Sequence, residues 1–88
     1  MPENPPLAEE DRSLLDFEAQ WPGHSGAKER EMRQRFGVGP ARYYQALDTV
    51  IDSPAALAAE PLLVHRLLRL RQQRSRSRAA RILGRTAD

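Results

Sequence analysis

The sequence predicts an all-α fold: a compact domain of four to five helices that contains a helix-turn-helix and ends in a long basic helix. Apolar residues recur at the three- and four-residue spacing of helices. Prolines and glycines divide the chain into short segments. Arginines accumulate in the last quarter of the chain. At 88 residues, the chain has the length of one domain with a small core.

The composition of the chain excludes several classes of protein and site. The chain contains no cysteine, which excludes a disulfide framework and a thiolate metal site. No apolar run is long enough to span a bilayer, so we expect a cytoplasmic protein without a membrane partner. The charge is unevenly distributed, since residues 1–31 hold eight acids and three bases whereas residues 61–88 hold eight arginines and one acid. The basic end is expected to attract polyanions.

The first helix is predicted over residues 9–21, after a proline-rich lead-in at residues 1–8 that we expect to be disordered. Leu14, Phe17 and Trp21 form its apolar stripe, and Pro22-Gly23 ends it. The acidic residues Asp11, Asp16 and Glu18 are expected on the opposite side.

A helix-turn-helix is predicted over residues 26–52. Ser25 is a candidate N-cap for a helix that ends at Phe36, and Gly37 suits the left-handed conformation that often follows a helix. After the turn at residues 37–39, Pro40 suits the first position of the next helix. The inward residues expected on these two helices are Ala27, Met32, Phe36, Tyr43, Tyr44, Ala46, Leu47, Val50 and Ile51.

A short helical turn is predicted at residues 54–59, and a long basic helix at residues 61–84, followed by a frayed tail at residues 85–88. Leucines and Val64 give this helix an apolar start, but the apolar stripe stops after Leu70. The arginines that follow argue against a long homodimeric coiled coil. We therefore expect a monomer or a weak dimer.

The second helix of the predicted unit carries the candidate base-facing residues Arg42, Gln45 and Thr49. Arginine matches guanine O6 and N7 in the major groove, and glutamine matches adenine N6 and N7. Tyr44 is expected to reach a phosphate with its hydroxyl. Asp48, on the same face, would repel phosphate unless it is paired. The alternative is a plain helical bundle, favoured by Arg33 at a position that is usually small.

Arginines of the last helix form the candidate phosphate contacts. Their spacing of three and four residues places five of them in one row, and a second row follows Arg66, Arg69 and Arg76. Neighbouring arginines in such a row repel one another unless an anion neutralises them. The alternative is a solvated tail that maintains solubility. The five predicted phosphate contacts are Arg71, Arg74, Arg78, Arg81 and Arg85.

Chemistry beyond binding is not indicated. The only histidines, His24 and His65, fall in different predicted elements, so we expect no metal site and no cofactor. The Gly37-Val-Gly39 turn lacks the lysine and preceding strand of a phosphate-binding loop. We find no catalytic constellation and expect no enzymatic activity.

Several segments resemble a family of small, uncharacterised actinobacterial proteins: LLDFEAQW, SGAKE, RFGVGPARYYQAL and DSPAALAAEPLLVHRLLRLR. The resemblance covers roughly residues 10–84 and implies a compact helical protein with a helix-turn-helix. The central unit is also similar to sigma-factor-type helix-turn-helix domains, with Phe36, Gly37, Val38 and Tyr43 in the matching places. Arg33, Gly39 and Pro40 depart from that pattern.

Together, these features predict a non-enzymatic protein that binds double-stranded DNA in the nucleoid. The helix-turn-helix would enter the major groove while the arginine-rich helix holds phosphates. Because arginines outnumber base-reading residues, a nucleoid-associated or accessory transcription role is favoured over a site-specific repressor. The alternative is an adaptor that binds transcription machinery or another acidic partner.

Overall fold

The computed structural model describes residues 6–87, with side chains for residues 6–83. Within these residues the chain forms five α-helices and no strand, which confirms the predicted fold class, long last helix included. The helices are α1 (Glu9–Gln20), α2 (Gly26–Phe36), α3 (Pro40–Ile51), α4 (Pro54–Ala59) and α5 (Pro61–Ala87).

The turn between α2 and α3 follows from three local signals. The Ser25 hydroxyl accepts a hydrogen bond from the Lys28 backbone N–H at 3.1 Å and so caps α2. Gly37 ends α2 with a φ of 69°, in the left-handed region that favours glycine. Pro40 then opens α3, where its missing N–H leaves no helical hydrogen bond unmade.

The chain ends differ from the sequence prediction in extent. Residues 1–5 of the predicted lead-in lie outside the described residues, but Leu7 packs against the core. At the other end, α5 continues through Gly84, the predicted end of the helix, to Ala87. Asp88, the last residue of the predicted tail, also lies outside the described residues.

Helix α3 lies at the centre of the fold, since α1, α2, α4 and α5 all contact it. The core combines aliphatic side chains with an aromatic cluster, in which the Phe17 ring lies 5.3 Å from Phe36 and 5.6 Å from Tyr43 between centroids. The buried apolar residues are Leu15, Phe17, Met32, Tyr43, Leu47, Val50, Ile51, Ala56, Val64 and Leu67.

Two residues predicted to be apolar contacts instead face solvent. Ala46 is exposed because it lies at the edge of the α3 stripe, on the side away from α5. Leu62 is 85% exposed because it stands two residues before Val64, nearly opposite to the face that α5 buries. Arg33 is also exposed, and its guanidinium lies beside Gly39 at the surface of the turn rather than in the core.

Candidate nucleic-acid interface

The three residues predicted to face bases share one side of α3. Arg42, Gln45 and Thr49 are all exposed. The Thr49 hydroxyl donates a hydrogen bond of 3.3 Å to the Gln45 carbonyl, and so stays close to the helix. The opposite side of α3 is buried through Tyr43, Leu47 and Val50. Helix α3 therefore presents one polar face outward while the rest of the domain holds its other faces.

Tyr44, the predicted phosphate contact on α3, lies beside this face and is half-buried. Its hydroxyl oxygen lies 2.8 Å from His24 Nδ1, and His24 Nε2 lies 2.7 Å from a Glu29 carboxylate oxygen. Burial raises the pKa of Tyr44 to about 12, with a further contribution from the negative charge of Glu18. The hydroxyl thus stays protonated at neutral pH, and it is already engaged with His24.

A groove of about 920 Å³ runs between α3 and α5. Tyr44, Gln45 and Asp48 line it from α3. Arg74, Arg78 and Arg81 line it from α5. The two helices run antiparallel along the groove, since Arg71 lies next to Asp52 at the end of α3 and Arg74 lies over the Tyr44 ring, 5.4 Å from its centroid. The arginine row therefore borders the predicted DNA-reading helix along its length.

Two predicted phosphate contacts are paired with carboxylates of α3. Arg71 binds both oxygens of Asp52, at 2.9 and 3.3 Å. Its hydrogen bonds hold the pKa of the Asp52 carboxyl below its usual range. Asp48 Oδ1 is buried and accepts no hydrogen bond from the described part of the chain, but Arg74 and Arg71 place positive charge 3.7 and 3.9 Å away. The acidic residues of α3 are therefore neutralised by α5.

The remaining arginines of this row differ in their surroundings. Arg78 and Arg81 are exposed at the groove, and neither has a carboxylate partner among the described side chains. Arg85 belongs to α5, but its side chain lies outside the described residues. Arg78 and Arg81 are thus the members of the row whose charge is available to an external anion.

A buried polar network fixes the position of α3. Glu18 and Lys28, 2% and 1% exposed, form an ion pair of 2.8 Å, and the Tyr43 hydroxyl donates a hydrogen bond to the same Glu18 oxygen. Lys28 also donates to the Gly23 carbonyl at 2.7 Å. Burial and the Glu18 carboxylate raise the pKa of Tyr43 far above its usual range. The network joins α1, the loop after it, α2 and α3.

The prediction that Glu18 lies on the side of α1 opposite the apolar stripe is wrong, and the burial of Lys28 was not predicted. Charged side chains are seldom fully buried unless they are paired, and pairing depends on the tertiary structure. Two signals were nevertheless present in the sequence. Glu18 stands four residues after Leu14, on the apolar side of α1, and Lys28 is the only lysine among fourteen basic residues.

The structure brings no metal-binding cluster together: among the described side chains, no three or more histidine or carboxylate groups converge. No described helix combines the length and the apolarity needed to cross a membrane.

Comparison with known proteins identifies one family. The model of the family described as "Protein of unknown function (DUF3263)" matches residues 6–79, from the segment before α1 into the distal half of α5. No curated protein and no solved structure matches the chain. The expected similarity to sigma-factor-type domains and to actinobacterial proteins stays a prediction.

Proposed function

The chain belongs to the DUF3263 family, whose description names no function, and we propose that it binds double-stranded DNA through α3 and α5. The exposed face of α3 enters the major groove, with Arg42, Gln45 and Thr49 toward the bases. One row of α5 arginines, here called the groove row, contacts the phosphates that border the major groove: Arg71, Arg74, Arg78, Arg81 and Arg85. No catalytic step forms part of the proposal.

One observation carries the proposal: the polar face of α3 is free, and uncompensated arginines flank it. The major groove of B-DNA admits one α-helix, and a helix can enter it only with a face that the domain leaves open. The other faces of α3 are occupied by α1, α2, α4 and α5. Arg78 and Arg81 lie beside the free face without a described carboxylate partner, where phosphates would replace solvent as their counterions.

The ion pairs between α3 and α5 support the same arrangement. Free carboxylates at Asp48 and Asp52 would repel the phosphates on either side of a groove that α3 enters. Arg71 and Arg74 neutralise them within the domain. We therefore propose that Arg71 and Arg74 serve mainly to neutralise these two carboxylates. Most of the phosphate contact in the groove row is assigned to Arg78, Arg81 and Arg85.

The balance of contacts favours a nucleoid-associated or accessory transcription role over a site-specific repressor. Only Arg42 and Gln45 are side chains that typically make bidentate contacts with bases. The arginines of α5 bind phosphates without regard to sequence. Such a protein would coat DNA in the nucleoid with modest sequence preference.

A salt titration of binding to random duplex DNA tests the proposal. We expect affinity at low salt that falls linearly on a log–log scale, with a slope of roughly −0.9 for each phosphate contacted. Absence of binding at low salt, or affinity that hardly changes with salt, contradicts the proposal.

Two sets of substitutions separate base contacts from phosphate contacts. Arg42→Ala with Gln45→Ala is expected to change sequence preference in a selection from random duplexes. Arg74→Ala with Arg78→Ala and Arg81→Ala is expected to weaken binding to all DNA sequences alike and to reduce the salt dependence of the affinity. If both sets cause the same sequence-independent loss, the assignment of base contacts is wrong.

A second candidate function is a protein-interaction adaptor that binds transcription machinery or another acidic partner. One observation favours it: Leu62 is 85% exposed and lines a shallow pocket with Leu63, Arg66 and Arg69. The Glu60 carboxylate also lines this pocket, but it is paired with Arg12 at 2.9 Å. An apolar centre with a basic rim is the type of surface that an acidic amphipathic segment recognises. Binding to purified RNA polymerase by a protein that does not bind duplex DNA would favour the adaptor.

A further inference from the structure

We infer that a single copy of this protein bridges two DNA duplexes, because α5 carries a second arginine row that faces away from α3. This outward row consists of Arg66, Arg69 and Arg76. The inference rests on the proposed function, since it assigns the first duplex to α3 and the groove row. The second duplex is assigned to the outward row.

The two rows lie on different sides of the same helix. At about 100° per residue, the groove row continues the buried line of Val64 and Leu67. The outward row lies roughly 150° around the helix axis from it. A duplex seated against α3 and the groove row therefore leaves Arg69 and Arg76 directed away from it.

The two rows also differ in charge compensation. Asp48 and Asp52 neutralise the first two arginines of the groove row. No carboxylate pairs with the outward row among the described side chains, and α5 contains no acidic residue between Pro61 and Ala87. Arg66 and Arg69, three residues apart, repel each other unless an anion neutralises them. A second phosphate backbone would supply those anions for the outward row.

The outward side of α5 is accessible to a body as large as DNA. Arg69 and Arg76 are exposed, as is every described side chain from residue 72 to residue 83. At 1.5 Å per residue, α5 is about 40 Å long. The molecule measures 57 × 32 × 18 Å, so α5 extends along much of its longest dimension. Two duplexes can thus approach the helix from different sides.

The experiment measures two kinds of binding with the full chain. Fluorescence anisotropy with a labelled 20-base-pair duplex reports binding to one duplex. Retention of a second, labelled duplex by bead-immobilised DNA reports bridging. The test variant is R66Q/R69Q/R76Q, and the matched control is R74Q/R78Q/R81Q, which removes three charges from the groove row. Because Arg66 is half-buried, R69Q/R76Q is measured as well, with circular dichroism to compare helix content.

We expect the wild type to retain the second duplex. The outward-row variants should lose at least tenfold in retention while their affinity for one duplex changes by less than about threefold. The control should lose affinity for one duplex, with a salt slope smaller by roughly 2 to 3.

Three results would overturn the inference while the proposed function stands. The wild type could bind one duplex without retaining a second. The outward-row variants could bridge as well as the wild type, which would place bridging in a protein dimer. They could also lose single-duplex affinity as strongly as the control, which would place both rows on one duplex. Absence of any duplex binding by the wild type would refute the inference and the proposed function together.

Discussion

Lys28 illustrates how one residue determines the geometry of the candidate interface. Its ammonium group contacts the Glu18 carboxylate and the Gly23 carbonyl, and it lies 5.9 and 5.5 Å from the ring centroids of Tyr43 and Tyr44. An ammonium group is compact and fits a small buried site, whereas a guanidinium group is planar and larger. This difference accounts for a lysine in a chain whose other basic residues are arginines.

Breaking the buried ion pair is expected to destabilise the fold. Lys28→Met leaves the Glu18 charge buried without a cation, at a cost of about 3–5 kcal/mol in the free energy of unfolding. Glu18→Gln combined with Lys28→Met removes both charges and keeps an acceptor for the Tyr43 hydroxyl, so we expect it to recover most of that loss. Urea denaturation of the single and double variants measures the coupling. Additive losses would indicate that the pair does not act as a unit.

The ion pair between Arg71 and Asp52 is expected to make the stability of the fold depend on pH in the acid range. Because Arg71 lowers the folded-state pKa of Asp52, the pair contributes stability above the unfolded value of about 3.9, and this contribution is lost as the pH falls through the lowered pKa. NMR titration of the Asp52 carboxyl should give a lower pKa in the wild type than in Arg71→Gln. Equal values in both proteins would exclude Arg71 as the cause.

At the scale of elements, local signals in the sequence were sufficient to predict the turn between α2 and α3, but not the end of α5. Ser25, Gly37 and Pro40 act through their own backbone preferences, and the bounds of α2 and the start of α3 follow from them. Which side of each helix faces the core was less predictable from the sequence. Ala46 and Leu62 are apolar but exposed, because a helix buries only the face that a neighbour covers. The position of that neighbour depends on the whole fold.

The turn between α2 and α3 supplies a matched pair of glycines for a test. Gly37 has a φ of 69°, whereas Gly39 has a φ of −86°. Gly37→Ala should lower the free energy of unfolding by about 1–2 kcal/mol, because a side chain is strained in the left-handed region even where space is open. Gly39→Ala should lower it by less than about 1 kcal/mol, because this φ suits alanine and the loss of a glycine N-cap is partly offset by the lower entropy of the unfolded chain. Thermal denaturation compares them, and equal effects would contradict the conformational explanation.

At the scale of the whole molecule, folding and polyanion binding use different parts of α5. Leu67 is the last buried residue among the described side chains of this helix, and the contact with α3 continues through the ion pairs of Arg71. From residue 72 to residue 83 every described side chain is exposed. The distal half of α5 thus adds little to the core while it carries most of the uncompensated charge.

Truncation after Gln73 should separate the two properties. It removes Arg74, Arg76, Arg78, Arg81 and Arg85 but leaves every described core side chain in place. We expect the midpoint of thermal unfolding to change little, because the lost segment buries few apolar atoms. Affinity for duplex DNA at low salt should fall by more than about a hundredfold. A truncated protein that unfolds, or one that keeps full affinity, would contradict this division of α5.

The burial of Lys28 is also expected to protect its amine from electrophilic reagents. Lys28 is the only lysine of the chain, its side chain is 1% exposed, and its amine is held by a carboxylate and a carbonyl. Acylating reagents such as N-hydroxysuccinimide esters require an accessible, unprotonated amine. They should therefore modify Lys28 only while the contact between α1 and α2 is transiently open. The rate of Lys28 modification, followed by mass spectrometry of the peptide that contains it, therefore measures how often this contact opens.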